Sequence, residues 1–267
     1  GVPESVANSI YDEILDFASY AFNKAHAVSY AIVAYRTAYM KRHYPQQYMA
    51  ALLTSVLESS TKVAEYIAEC RELGIKLLPP DVNESDANFT VAGENIRFGL
   101  VAIKGIGWGA IEELVAERHE NGLFTSFEDF CKRMSGKELN RRAVENLIRA
   151  GAFDGMGYKR KALLQIAGAV IDSISQAARD NIAGQYDLFG DFEAQSEASP
   201  QTIPIPDVEE FSARDKMMME KEVTGLYLPG HPMDEYRDAV RKVGAVPIGA
   251  ILGDFAADDG PQRFADN

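Results

Sequence analysis

Gly105-Ile106-Gly107 sits between two short apolar stretches, Leu100 to Ile103 and Ala110-Ile111. A turn with two glycines accepts positive φ and lets another backbone approach closely. The N–H groups that open the following helix then point outward with the positive end of its macrodipole. Such a turn suits an anion. Leu100, Ile103, Ile106, Ile111 and Leu114 are spaced to pack the two flanking helices together, which predicts a helix-hairpin-helix that grips a nucleic-acid phosphate without reading bases. Lys104, Gly105, Gly107, Trp108 and Gly109 form the candidate set at this turn. A Gly-containing turn in an ordinary helical hairpin has the same spacing and stays open as the other reading.

A local excess of basic residues lies downstream. From Cys131 to Lys161 there are nine Lys and Arg against three acidic residues, a net of +6. A reversal of sign on that scale can form an electrostatic footprint for nucleic acid, and Arg141 and Arg142 join the candidate set from it. Three amphipathic helices with solvated surfaces account for the same count. Leu147 to Asp154, followed by Gly157, reads as a second, degenerate hairpin of the same kind.

Two further groups could carry binding. Tyr20-Ala21-Phe22-Asn23-Lys24-Ala25-His26 places an aromatic ring, a cation and an imidazole near a helix start, a combination suited to a base and a triphosphate. Asn23 as an N-cap and His26 as a first-turn residue explain the same letters. Gln185-Tyr186-Asp187-Leu188-Phe189 sets an amide before two apolar anchors in an otherwise polar stretch, a compact peptide-recognition pattern. Leu188 and Phe189 could also tuck back onto the chain's own helices.

These residues need a mainly helical frame. Apolar spacing predicts helices near 11–18, 23–43, 45–57 and 60–73, the last capped by Ser60 or Thr61 and closed by Gly74. The second of these is apolar around most of its circumference, at Val28, Ala31, Ile32, Val33, Ala34, Tyr35, Ala38 and Tyr39, and is expected to be buried. After Pro79-Pro80, Phe89 to Val91 and Ile96 to Phe98 alternate around Gly93-Glu94-Asn95 and predict one short β-hairpin. Further helices are expected at about 126–134, 140–149, 158–180, across Met217 to Met219, and near 236–243. Residues 184–206 read as a linker.

Composition bounds the rest. The chain has 267 residues, 46% hydrophobic and 25% charged, and a net charge of −13. Taken whole, that charge argues against nucleic acid, because Lys and Arg make phosphate contacts. The acid is unevenly spread: residues 1–178 carry a net of −3 and residues 179–267 a net of −10. Two cysteines, without ligand-like neighbours, predict neither a disulfide framework nor a zinc cluster, and a cytoplasmic protein is expected. No run approaches the ~20 apolar residues of a membrane span, so no membrane partner is expected. The start lacks an initiating Met, which suggests a piece of something longer.

The order of these parts resembles the alpha subunit of bacterial DNA polymerase III. The resemblance rests on Phe22-Asn23-Lys24-Ala25-His26-Ala27-Val28-Ser29-Tyr30-Ala31, His43-Tyr44-Pro45, Leu77-Leu78-Pro79-Pro80-Asp81-Val82-Asn83 and Ala102-Ile103-Lys104-Gly105-Ile106-Gly107. Leu139-Asn140-Arg141-Arg142, Gly151-Ala152-Phe153-Asp154 and Gly225-Leu226-Tyr227-Leu228-Pro229-Gly230-His231-Pro232 continue it in order.

The resemblance implies a division of labour. Residues 1–80 would be the C-terminal part of the fingers, with Tyr20, Asn23, Lys24 and His26 near the incoming dNTP. Residues 81–180 would be the β-hairpin and a tandem helix-hairpin-helix domain holding duplex primer-template DNA. Residues 181–206 would be a linker whose Gln185, Leu188 and Phe189 enter the sliding clamp, the beta subunit. Residues 207–267 would lead toward an oligonucleotide-binding domain. The whole chain would be a DNA-directed DNA polymerase working with other holoenzyme subunits. Its magnesium ions would be held by palm aspartates outside this sequence, so this piece would bind no cofactor and would not polymerise alone. A stand-alone helix-hairpin-helix repair factor is the alternative; a hydrolase built on His26 lacks a nucleophile in a recognisable elbow.

Overall fold

In the computed structural model, the described residues are 1–19, 24–57, 59–137, 139–184, 203–227 and 236–246. They are mainly helical with one small sheet and divide into two compact units, residues 1–78 with 84–102, and residues 79–83 with 103–267. The sheet hairpin therefore groups with the N-terminal helices, while Pro79 to Asn83 belongs to the second unit.

The first unit contains α1 (Glu4–Ser19), α2 (Lys24–His43), α3 (Pro45–Ser55), α4 (Ser60–Glu72), β1 (Leu77–Leu78), β2 (Thr90–Ala92) and β3 (Asn95–Arg97). Pro45 occupies the first turn of α3, where no N–H is needed. Ser59 caps α4, one residue earlier than expected. β3 is central, antiparallel to β2 and parallel to β1. No alternation marks β1: it has two residues and stops at Pro79, which has no N–H to continue a ladder. Met49 and Leu53 of α3 and Ile67 and Cys70 of α4 are buried, as are Ile96 and Phe98. Phe89 meets Phe98 edge-on at 5.0 Å.

The expected burial of α2 is corrected. None of its residues is buried, and Val28, Tyr30, Ile32, Val33, Tyr35 and Tyr39 are all exposed. Within its unit α2 packs on α3 and pairs Lys41 with Glu69 of α4, and among the described residues these neighbours enclose none of its side chains. An all-round apolar pattern identifies a surface to be covered; it does not supply the cover.

The second unit contains α5 (Trp108–Asn121), α6 (Phe127–Arg133), α7 (Arg141–Ala150), α8 (Arg160–Gly184), α9 (Ala213–Thr224) and α10 (Arg237–Lys242). Ser126 caps α6 by accepting the Asp129 N–H at 3.0 Å, and Asn140 caps α7 by accepting the Ala143 N–H at 2.9 Å. Phe130 meets Phe153 at 4.9 Å and Phe124 at 5.0 Å, and Phe127 meets Phe153 at 5.2 Å, all edge-on. Edge-to-face geometry suits the aromatic quadrupole and fixes α6 against the α7–α8 connection. The Pro79-Pro80-Asp81-Val82-Asn83 segment is threaded in. The Val82 N–H donates to Ala152 O at 2.9 Å, and Asn83 exchanges two hydrogen bonds with the backbone of Phe124.

Cys70 in the first unit and Cys131 in the second are both free and buried. No helix among the described residues is long and apolar enough to cross a membrane.

Candidate nucleic-acid interface

Gly105 adopts φ +78, a backbone region that favours glycine, and Gly107 at φ −73, ψ 152 is the residue preceding α5. Among the described residues no side chain caps α5, and its first turn holds no acid, so its opening N–H groups are open to an external acceptor. Trp108 is 47% exposed beside them.

What precedes the turn differs from expectation. The first arm is a single 3-10 turn, Leu100–Ala102, rather than an α-helix. Gly99 and Gly105 bracket too few residues to offset the cost of helix nucleation. Leu100 is buried in the first unit, whereas Ile103, Ile111 and Leu114 are buried in the second and Ile106 is half-buried. The predicted apolar frame is therefore divided between the two units.

Two residues of α7 flank the turn. Asn146, a polar residue in the buried stripe of Ala143, Val144, Leu147 and Ile148, donates its side-chain N–H to Lys104 O at 2.7 Å. A Cβ at Gly105 would stand 2.9 Å from that nitrogen and 4.0 Å from Arg142 Nε. Arg142 is thus beside the glycines, exposed, with no ion-pair partner among the described residues. Arg141 turns to α8: its guanidinium lies against Gly168, and Nε donates to Glu145 at 3.1 Å. Asn146 was missed in the sequence, where its signal is an amide on an otherwise apolar helix face.

The basic excess is largely absorbed by the fold. Lys132 pairs with Glu128, Arg133 with Glu117 and Asp129, and Lys137 with Glu117. Arg141 and Arg149 share Glu145, Lys159 pairs with Asp207, and Arg160 with Asp154 and Glu220. Lys161 lies over the Phe211 ring. Hydrogen bonds from Lys137 and Arg133 hold the Glu117 carboxyl down at about 2. Several of these carboxylates lie outside the 131–161 window, so the linear count of +6 overstates the free positive charge. Among the described residues, Arg142 remains an uncommitted cation next to the turn.

The second glycine-marked connection joins α7 to α8. Gly151 and Gly157 both adopt positive φ, +85 and +81, around a 3-10 turn at Asp154–Met156. Here the opening amides of the helix are already occupied. Arg160 N–H donates to Glu210 Oε2 at 2.9 Å and Lys161 N–H to Oε1 at 3.2 Å. Burial acts to raise the Glu210 carboxyl, but these two amides and that of Phe211 outweigh it and hold it below the usual carboxylate range.

Of the predicted nucleotide set, Lys24 and His26 lie exposed in the first turn of α2, with the His26 ring 4.2 Å from that of Tyr30. Tyr20 and Asn23 lie outside the described residues, as do Gln185, Leu188 and Phe189 and most of the Gly225–Pro232 motif. Among the described residues, no group of three or more His, Cys, Asp or Glu forms a candidate metal site.

Comparison with known proteins bears on this geometry. A family model described as "Helix-hairpin-helix motif" matches residues 74–163, which include both glycine turns. DNA polymerase III subunit alpha of Mycobacterium tuberculosis is 40% identical over 265 residues, covering 98% of this chain and 22% of the relative. The chain is related over nearly its whole length to a segment of DNA polymerase III subunit alpha. The Deinococcus radiodurans protein of that name is 40% identical over 258 residues, 96% of this chain and 19% of the relative. That of Borreliella burgdorferi is 35% identical over 257 residues, 96% and 22% respectively. The chain spans about a fifth of the length of these curated relatives. Similarity to DNA polymerase III alpha subunits continues on both sides of the helix-hairpin-helix region, through the helices expected to form the fingers. The mainly helical fold with one small sheet and the helix-hairpin-helix assignment both hold.

Proposed function

We propose that this chain is the duplex-holding and clamp-tethering portion of a bacterial replicative DNA polymerase, with contacts to the incoming dNTP contributed from α2. The observation that carries the reading is the uncapped start of α5 behind Gly105-Ile106-Gly107 with Arg142 beside it. Backbone N–H groups donate to a phosphate oxygen whatever the base, so the grip is independent of sequence, as a polymerase that traverses a genome requires. One cation and one helix start make a modest contact. Tethering compensates: Gln185, Leu188 and Phe189 in a clamp groove would raise the effective concentration of DNA at this surface without new chemistry.

The names of the relatives support DNA synthesis as the activity of the whole polymerase. In that enzyme, magnesium held by palm aspartates would supply the charge stabilisation for phosphoryl transfer. The present segment would hold and align its substrates and would not polymerise by itself. A stand-alone helix-hairpin-helix factor accounts less well for the chain, since similarity to the relatives runs through the N-terminal helices.

The test is a duplex titration. Affinity should be independent of sequence and fall as salt rises from about 50 to about 200 mM, and Gly107→Val should weaken it. Sequence-selective binding, or full affinity in Gly107→Val, refutes the proposal.

A further inference from the structure

Lys104 stands at the entrance to the glycine turn, and its donors have an internal destination. Its backbone N–H donates to the carbonyl of Val223 at 2.7 Å, and its ammonium reaches the carbonyl of Glu222 at 3.2 Å. Both acceptors lie in the last turn of α9, where carbonyls lack intrahelical partners and a cation is favoured by the helix dipole. On the other side, the Lys104 carbonyl accepts from Asn146 of α7 at 2.7 Å. Both polar groups of the Lys104 backbone are therefore held, one by α9 and one by α7.

α9 is itself firmly seated. Glu220 accepts from Arg160 at 2.8 Å with both side chains almost fully buried, and Val223 and Leu226 are buried beside the helix end. Gly225 closes α9 in the left-handed region, its N–H donating to Lys221 O at 2.9 Å. Ahead of the helix, Glu210 is fixed by the first amides of α8.

We propose that Lys104 is a positioning residue rather than a phosphate contact. The C-terminus of α9 and Asn146 grip its backbone from two sides and so fix Gly105-Ile106-Gly107 where the opening amides of α5 can meet a phosphate. Arg142 supplies the positive charge that the phosphate feels. The proposal rests on the duplex-binding reading above. It gives α9, which lies far from the turn in sequence, a direct part in DNA binding, and it makes a prediction of opposite sign to simple electrostatics. Neutralising Glu220 in an acidic chain should strengthen DNA binding if charge alone mattered. If α9 seats the turn, the same change weakens it.

The experiment combines duplex titrations over a salt series with amide hydrogen exchange, on the 267-residue chain. Lys104→Met should weaken binding severalfold while leaving the slope of log K against log salt unchanged, and Lys104→Arg, which keeps a donor for the α9 carbonyls, should restore it. Arg142→Met should reduce the slope by about 0.9, the loss of one phosphate contact. Glu220→Gln should lower the protection of the Lys104 amide and weaken binding. The proposal is overturned if Lys104→Met reduces the slope by about 0.9 with exchange unchanged. It is overturned equally if Glu220→Gln binds tighter with the Lys104 amide fully protected. Should Glu220→Gln fail to fold, the exposed Lys104→Met carries the test. If the unsubstituted chain binds no duplex, the DNA reading fails by itself and exchange alone decides. Loss of turn protection in Lys104→Met then supports the seat on α9, and unchanged protection refutes it.

Discussion

The guanidinium of Arg160 donates to Glu220 at 2.8 Å, with the two side chains only 6% and 5% exposed. Arg160 also donates to Asp154 at 2.7 Å and to the Arg149 carbonyl at 3.1 Å, so it ties α7, the α7–α8 connection and α9 together. Burial pushes the Glu220 carboxyl above its ordinary range despite Arg160. Desolvation of such a pair offsets much of its Coulomb attraction, whereas removing one partner leaves a buried charge uncompensated.

A double-mutant cycle follows from that asymmetry. Glu220→Leu alone is expected to cost about 3 kcal/mol, the low end of the range for breaking a buried pair, because Asp154 still serves Arg160. Arg160→Met with Glu220→Leu should be more stable than the sum of the single changes predicts. Urea denaturation of the four proteins measures the coupling.

Glu117 sets an acid limit on the second unit. Its folded-state value of about 2 lies below the ordinary 4.5, so the stabilisation is fully present above about 4.5 and is lost as pH falls toward 2. Glu117→Gln should therefore melt below the unsubstituted chain at pH 7, and the gap in Tm should close across that interval. A gap independent of pH would remove Lys137 and Arg133 as its cause.

Two glycines with the same backbone conformation should respond differently to alanine. Gly157 has open space for a Cβ, so Gly157→Ala incurs only the strain of positive φ, about 1–2 kcal/mol. At Gly151 a Cβ would lie 2.3 Å from Arg160 Nη2, and that guanidinium is pinned by its buried ion pairs. Gly151→Ala should be clearly the more destabilising in thermal melts.

For the clamp contact, Leu188→Ala with Phe189→Ala should abolish heat of binding to the sliding clamp in a calorimetric titration. Undiminished affinity would refute that role.

For the nucleotide contact, Lys24→Ala and His26→Ala should each raise the apparent KM for dNTP in the whole polymerase. Wild-type kinetics in both would return these residues to the helix start that α2 requires anyway.

Elements set by local chemistry were legible in the sequence. Asn140, Ser126 and Pro45 mark helix starts because capping and φ are properties of a few neighbouring residues. What depends on distant partners was not. The basic window gains its carboxylates from Glu117, Asp207 and Glu220, which a local charge count omits. β1 owes its existence to β3, since two residues carry no period. The glycine turn itself was visible, but its attachment to Val223 was not, because no pattern links Lys104 to a backbone carbonyl more than a hundred residues away.

Burial of the two thiols has a practical consequence. Cys70 and Cys131 are 1% and 7% exposed, and burial pushes them up to about 11 and about 12. Alkylating reagents attack the thiolate, which is scarce at neutral pH under those conditions. The chain is therefore a quiet background for maleimide chemistry. A cysteine introduced at exposed Val91 or Leu123 would carry a fluorophore alone, one in each unit. The slow labelling of the native thiols would then clock the opening of each unit separately.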